Sequence, residues 1–303
     1  MAEDYALPYE DADDSGYGRR RTDWWAEARG VFWLVVAVLG FHSLIAKPFY
    51  IPSESMLPGL LIGDRLVVTK YPYGYSFVTP TFHLLPFAPG RVLGRMPARG
   101  DVVIVTPSGT TTDYIKRVIA LPGDRIAVRD GIVYLNGNPV PRVYGGERML
   151  AVDTNTRCGL DDKGELTPLN PYRGRLTRGA NGKLYCSLPI YRETLPGGVS
   201  YETVDLGIGV SAGDNYAEIR IPAGKVFLMG DNRDNSADSR YPQYSSEGKL
   251  EGLGGPVPWE NIGGRAEFIT FSLDGSAGWN PMTWFPSFRG GRAGTSLHPQ
   301  GIK

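Results

Sequence analysis

"YIKRVIALPGDRIAVRDGIVYLNG", Tyr114 to Gly137, holds three apolar runs separated by turn residues. Asp130-Gly131 and Asn136-Gly137 are pairs that tolerate positive φ and favour two-residue hairpins. Runs this short, rich in Ile and Val and bounded by Gly, Pro and Asp, read as strands. They predict strands over 114–121, 124–128 and 132–137. Working outward, "RLVVTKY" (65–71), "DVVIVTP" (101–107), "YAEIRI" (216–221), "KVFLMGD" (225–231) and "RAEFITFS" (265–272) repeat the pattern. Residues 138–214 change character, with few aliphatic runs and the turn-rich pieces "GLDDKGE" and "TRGANGKLY". They read as an inserted subdomain or a long excursion. Composition agrees with a mainly β chain: Gly 40 and Pro 24 in 303 residues exceed the usual shares of roughly 7% and 5%. Lys+Arg 32 against Asp+Glu 32 leaves no net charge, so nothing points to nucleic acid.

One long apolar run, "GVFWLVVAVLGFHSLIA" (30–46), follows Trp24 and Trp25 and is closed by Lys47. It falls slightly short of the about 20 residues of a typical spanning helix, and the tryptophans and the Lys47 stem extend it through the interface. An uncleaved anchor is favoured over a removable signal, because "SLIAKPF" lacks a small-x-small cleavage pattern and the preceding stretch is long and acidic. Arg19, Arg20, Arg21 and Arg29 precede the run, which places the tail in the cytoplasm and the rest outside. The expected organisation is a disordered tail (1–29), an anchor (30–47), a β core (48–137 and 215–303) and the insert (138–214). Cys158 and Cys186 form a disulfide that staples the insert if it is exported, and two buried thiols if it is not. The tail segment "WNPMTWFPSF" (279–288) reads equally as core or as an interfacial aromatic belt.

"YIPSESMLPGLLIGD" (50–64) sets two serines around Glu54 between Pro52 and Pro58. A serine needs a partner to take its proton. Only three histidines are present, none with an acidic neighbour, and no metal-ligand spacing occurs. Lys116, mid-strand among Tyr114, Ile115, Val118 and Ile119, is the lysine whose burial would depress its pKa, and the adjacent Arg117 charge is expected to add to that. A neutral Lys116 beside Ser55 would form a Ser-Lys dyad; a sheet-edge charge is the plainer reading. "MGDNRDNSADSR" (229–240) reads as an Asx-turn loop, and poorly as a calcium loop, since Arg233 and Ser236 occupy the wrong places.

Together and in order behind an N-terminal anchor, "IPSESMLPGLLIGD", "DYIKRVIALPGD" and "GDNRDNSADSR" resemble the signature boxes of bacterial type I signal peptidases. The resemblance covers 48–74, 100–128 and 218–272. It implies an antiparallel β catalytic domain behind one transmembrane helix, with Ser55 as nucleophile and Lys116 as general base. Ser53 matches the serine whose hydroxyl joins the Ser55 amide as oxyanion hole. Ser236 matches the hydroxyl that orients the lysine, and Asp238 and Arg240 the supporting ion pair. Phe49, Ile51, Pro52, Met56, Leu60, Tyr114 and Ile115 would line shallow apolar pockets for a peptide added beside "DYIKR". No cofactor and no metal are implied. The implied substrates are signal peptides of exported preproteins, at the outer side of a bacterial cytoplasmic membrane. The bilayer and the export translocon are the further expected partners, and the apolar loop 76–90 is expected to dip into lipid. Glu54 departs from the small residue common at its place; it either faces solvent or raises the lysine pKa. A conjugation-type Ser-Lys peptidase with one dedicated pilin substrate and a non-enzymatic membrane-tethered binding domain are the alternatives.

Overall fold

The structure, a computed structural model, describes residues 23–79, 90–161, 163–165 and 171–301. The arginines at 19–21, His83 and most of the apolar loop 76–90 (residues 80–89) lie outside the described residues. Two compact units are distinguished, one ending at Val38 and one beginning at Leu39.

The apolar run is helical. Helix α1 spans Trp24–Leu44, buries none of its side chains, and is long and apolar enough to cross a membrane. It starts six residues before the apolar run, taking in both tryptophans. It also ends earlier than expected: Ala46 and Lys47 belong to strand β1 (Ala46–Tyr50) rather than to the helix.

Among the described residues sixteen strands, numbered in chain order, form three sheets joined by antiparallel pairings. The largest runs β1, β2 (Asp64–Thr69), β15 (Ile262–Ser272), β3 (Val102–Val105), β4 (Tyr114–Ala120), β13 (Lys225–Met229), β14 (Val257–Pro258). The "VVIV" of β3 is buried along its whole length, as an apolar strand between two neighbours should be. A second sheet runs β12 (Tyr216–Arg220), β5 (Arg125–Arg129), β6 (Ile132–Leu135), β7 (Asn138–Pro139). Its hairpins turn where the sequence indicated: Asp130, Gly131, Asn136 and Gly137 all take positive φ, which suits the right-handed twist of the flanking strands.

The region 138–214 is richer in strands than its composition indicated. β8 (Arg142–Ala151), β10 (Leu184–Leu195) and β11 (Val199–Val204) form a sheet, with β9 (Leu176–Arg178) paired to β10 and the C-terminal β16 (Gln300–Gly301) to β11. Its edges differ from the expected ones, since β7 belongs to the hairpin sheet and β16 comes from outside. Cys158 and Cys186 are bridged and pack with Leu57 and Leu61 from the serine turn. The aromatic segment is not core: Trp279, Met282, Trp284 and Phe285 are exposed.

Candidate active site

The serine turn lies between β1 and β2. Ile51 N–H donates to Asp64 C=O and Gly63 N–H to Ile51 C=O, each at 3.0 Å, closing the loop at its base. Within it the spacing of four residues decides which way side chains point. Met56 and Leu60 enter the core beneath β2, β3 and β15, while Leu57 and Leu61 enter the disulfide cluster. Apolar anchoring on two sides fixes the backbone of Ser55, which is 7% exposed.

β4 brings Lys116 to it. Lys116 is 2% exposed; its Nζ donates to Ser55 Oγ and to Ile115 C=O, both at 2.9 Å. Burial pushes the Lys116 ammonium down to about 8, against the upward pull of Asp238 and Asp231, with Arg240 adding to the depression. Arg117 does not play its expected part: it makes a bidentate pair with Asp231, Nε to Oδ1 at 2.7 Å and Nη2 to Oδ2 at 2.6 Å. That carboxylate balances its charge.

Ser53 Oγ lies 3.3 Å from Ser55 Oγ, on the solvent side of the turn. Ser236 is buried next to the turn, yet its hydroxyl makes no hydrogen bond; the expected bond to Lys116 is not formed. The close approach of the two loops depends on Gly230, where a Cβ would stand 2.1 Å from Ser236 Oγ and 2.5 Å from the Ser55 carbonyl oxygen. Asp238 and Arg240 form a buried pair, Oδ1 to Nε and Oδ2 to Nη2 at 2.9 Å. Burial works to raise the Asp238 carboxyl, but Arg240 and the Gly230 and Arg240 N–H groups outweigh it and hold it below the usual range. Arg233 ties the same loop to the second half of the molecule through Glu193 on β10, at 2.7 and 2.6 Å.

Glu54 resolves into neither expected orientation. Its carboxylate accepts from Asn235 Nδ2 at 3.2 Å and from the Tyr172 hydroxyl. Burial raises its pKa, and these two bonds partly offset the rise. The residues expected to bind substrate differ in burial. Ile51, Met56, Leu60 and Ile115 are buried together, with Phe49 packed against them; Pro52 is exposed and Tyr114 half-buried. Met56 and Leu60 also line a cavity of 210 Å³ with Val102, Arg117, Tyr201 and Asp231. Among the described residues one edge of β4 has no strand partner at the site: β13 pairs with Arg117, Val118 and Ala120, and β3 holds the other side of Tyr114, Ile115 and Lys116. Asp231, Asn232, Gly230 and Tyr172 were not singled out from the sequence. The first three sit in a box whose density of Asp and Asn was a usable signal; Tyr172 had none.

Residues 24–271 match the family described as signal peptidase, peptidase S26. The chain is similar to signal peptidase I of Rickettsia typhi, 34% identical over 246 residues, covering 79% of this chain and 77% of that one. It is 31% identical to signal peptidase I of Rickettsia bellii over 261 residues, 84% of this chain and 73% of the relative. The crystal structure of a signal peptidase I from Enterococcus faecalis matches 56% of this chain and 97% of that one at 19% identity, with a TM-score of 0.27.

Proposed function

This chain belongs to the signal peptidase family, peptidase S26, and is a serine endopeptidase; from that premise we propose that it removes signal peptides from exported preproteins by a Ser-Lys dyad while tethered to a membrane by α1. The observation that carries the reading is the 2.9 Å contact between Lys116 Nζ and Ser55 Oγ, made where burial brings the amine near neutrality.

An extended substrate pairs with the open edge of β4 at Tyr114 and Ile115, which lays its scissile carbonyl over Ser55. Lys116, as the neutral amine, takes the Ser55 proton as Oγ attacks the carbonyl carbon. The Ser55 N–H and the Ser53 hydroxyl donate to the oxyanion that forms. Collapse breaks the peptide bond, and the Lys116 ammonium returns its proton to the leaving amine. A water then gives its proton to Lys116 and attacks the acyl ester, restoring Ser55 and freeing the signal peptide. Asp238 and Arg240 hold the loop that covers the amine. The exposed Trp279, Met282, Trp284 and Phe285 form the surface assigned to lipid.

The test is preprotein cleavage in detergent. Ser55→Ala should lose all turnover, and Lys116→Arg should be equally inactive, since a guanidinium stays protonated. Near-normal cleavage by Lys116→Arg would remove lysine from the mechanism.

A further inference from the structure

The segment closed by Cys158 and Cys186 sends one side chain back to the serine turn, and no step above uses it. Tyr172 is buried among Cys158, Cys186, Leu57 and Leu188. Its phenol oxygen accepts from Asn232 Nδ2 at 2.8 Å and from Asn235 Nδ2 at 3.1 Å. Its proton goes to the Glu54 carboxylate. A phenol has one donor and room for two acceptances, so the group is fully used, and two of its partners, Glu54 and Asn232, adjoin Ser55. Burial and the Glu54 charge keep the phenol neutral by pushing its ionisation far above the usual range.

Asn232 is the relay. Besides its bond to Tyr172, its Nδ2 donates to Glu54 C=O at 3.0 Å, and its own N–H donates to Ser55 C=O at 3.1 Å. The Glu54 carbonyl takes its other bond, from Leu57 N–H at 3.1 Å, inside the turn; Asn232 supplies the hold from outside. The Glu54–Ser55 peptide is planar and trans, so its N–H points opposite to its C=O. A group that fixes the Glu54 carbonyl therefore aims the Ser55 N–H.

We propose that Tyr172 is a positioning residue of this peptidase, an inference that rests on the Ser-Lys reading above. It orients Asn232, and Asn232 orients the peptide plane whose N–H meets the oxyanion. Glu54 completes the device by anchoring the phenol and Asn235 from the turn itself. The insert therefore supplies part of the oxyanion hole's alignment without touching substrate.

Tyr172→Phe deletes the oxygen and keeps the ring's packing. In the full chain in detergent, kcat should fall roughly tenfold, less than the about 10²–10³ lost with an oxyanion donor itself, while KM changes less than about twofold. A peptide aldehyde, whose hemiacetal with Ser55 Oγ places an oxygen in the same hole, should bind more weakly by the same factor. Asn232→Asp, which replaces the donor by an acceptor, should reproduce the split, so the inference stays testable if the first variant fails to fold. Wild-type kcat in Tyr172→Phe, or a reduced kcat with unaltered aldehyde affinity, overturns the inference and leaves the dyad standing. Cleavage by Ser55→Ala would instead overturn the dyad.

Discussion

Lys116 occupies a site where the requirements of chemistry oppose those of stability. Its amine falls from 10.5 to about 8 in the folded chain because it is buried. Between those values the unfolded chain binds a proton that the folded one does not, so stability rises with pH across that window. Below about 8 both states are protonated, and the buried ammonium destabilises the fold by about 3 kcal/mol. Lys116→Met should accordingly be inactive but melt at a higher temperature at pH 7, with a flatter stability profile between pH 8 and 10. An unchanged melting temperature in that variant would show that the amine is not desolvated. In the proposed dyad the same titration would govern catalysis with the sign that helps it, since only the neutral amine could accept the Ser55 proton, and turnover should rise with pH through about 8. Glu54 should have no part in that limb, because the charges that bear on the Lys116 amine are those of Asp238, Asp231 and Arg240. In Glu54→Gln the limb should stay where it is; movement to lower pH would place the carboxylate's field on Lys116.

Among the elements, the disulfide-closed segment is the one whose role changed most between sequence and structure. Its bridge spans 28 residues, and closing a loop of that length contributes about 3–4 kcal/mol in the chain-entropy model. Tyr172 lies inside that loop, and Cys186 sits on β10, whose Glu193 holds Arg233 of the third box. Replacing both cysteines by serine should therefore lower the melting temperature and also slow turnover. Residues that share one network couple rather than add. Tyr172→Phe should then slow the cysteine-free protein by a smaller factor than it slows the bridged one. Purely additive effects would make the bridge a stabiliser with no link to the serine turn.

For the whole molecule, the question is where the domain after α1 resides. The basic residues Arg19, Arg20, Arg21 and Arg29 precede the apolar run, and such residues are retained on the cytoplasmic side. Ser55 follows the end of α1 closely in the chain, so the proposed tether would keep the proposed nucleophile near the surface where a membrane-held signal peptide would emerge. Protease added to intact spheroplasts should digest the region after Lys47 and spare the N-terminal tail. A protected large domain would reverse this orientation and separate the enzyme from its proposed substrate.

Apolar periodicity and turn chemistry act over a few residues, and these the chain states openly. β2 to β6, β12, β13 and β15 follow from short Val- and Ile-rich runs, and both hairpin turns from Asp-Gly and Asn-Gly. A shortage of histidine singled out Lys116 as a base. Two features of the insert hid it: β8 carries Gly145 and Gly146 and exposes much of both faces, so no period-two apolar signal marks it. Tertiary structure alone decided which charges meet. Ser55 and Lys116 are 61 residues apart in the chain, and Arg117 and its neutralising Asp231 are 114 apart. The direction of Glu54 depended on Tyr172, a residue with nothing distinctive around it in sequence. Side-chain direction and local field are set by contacts across the chain, so the residue types determined what chemistry was available, and only packing determined which of it was assembled.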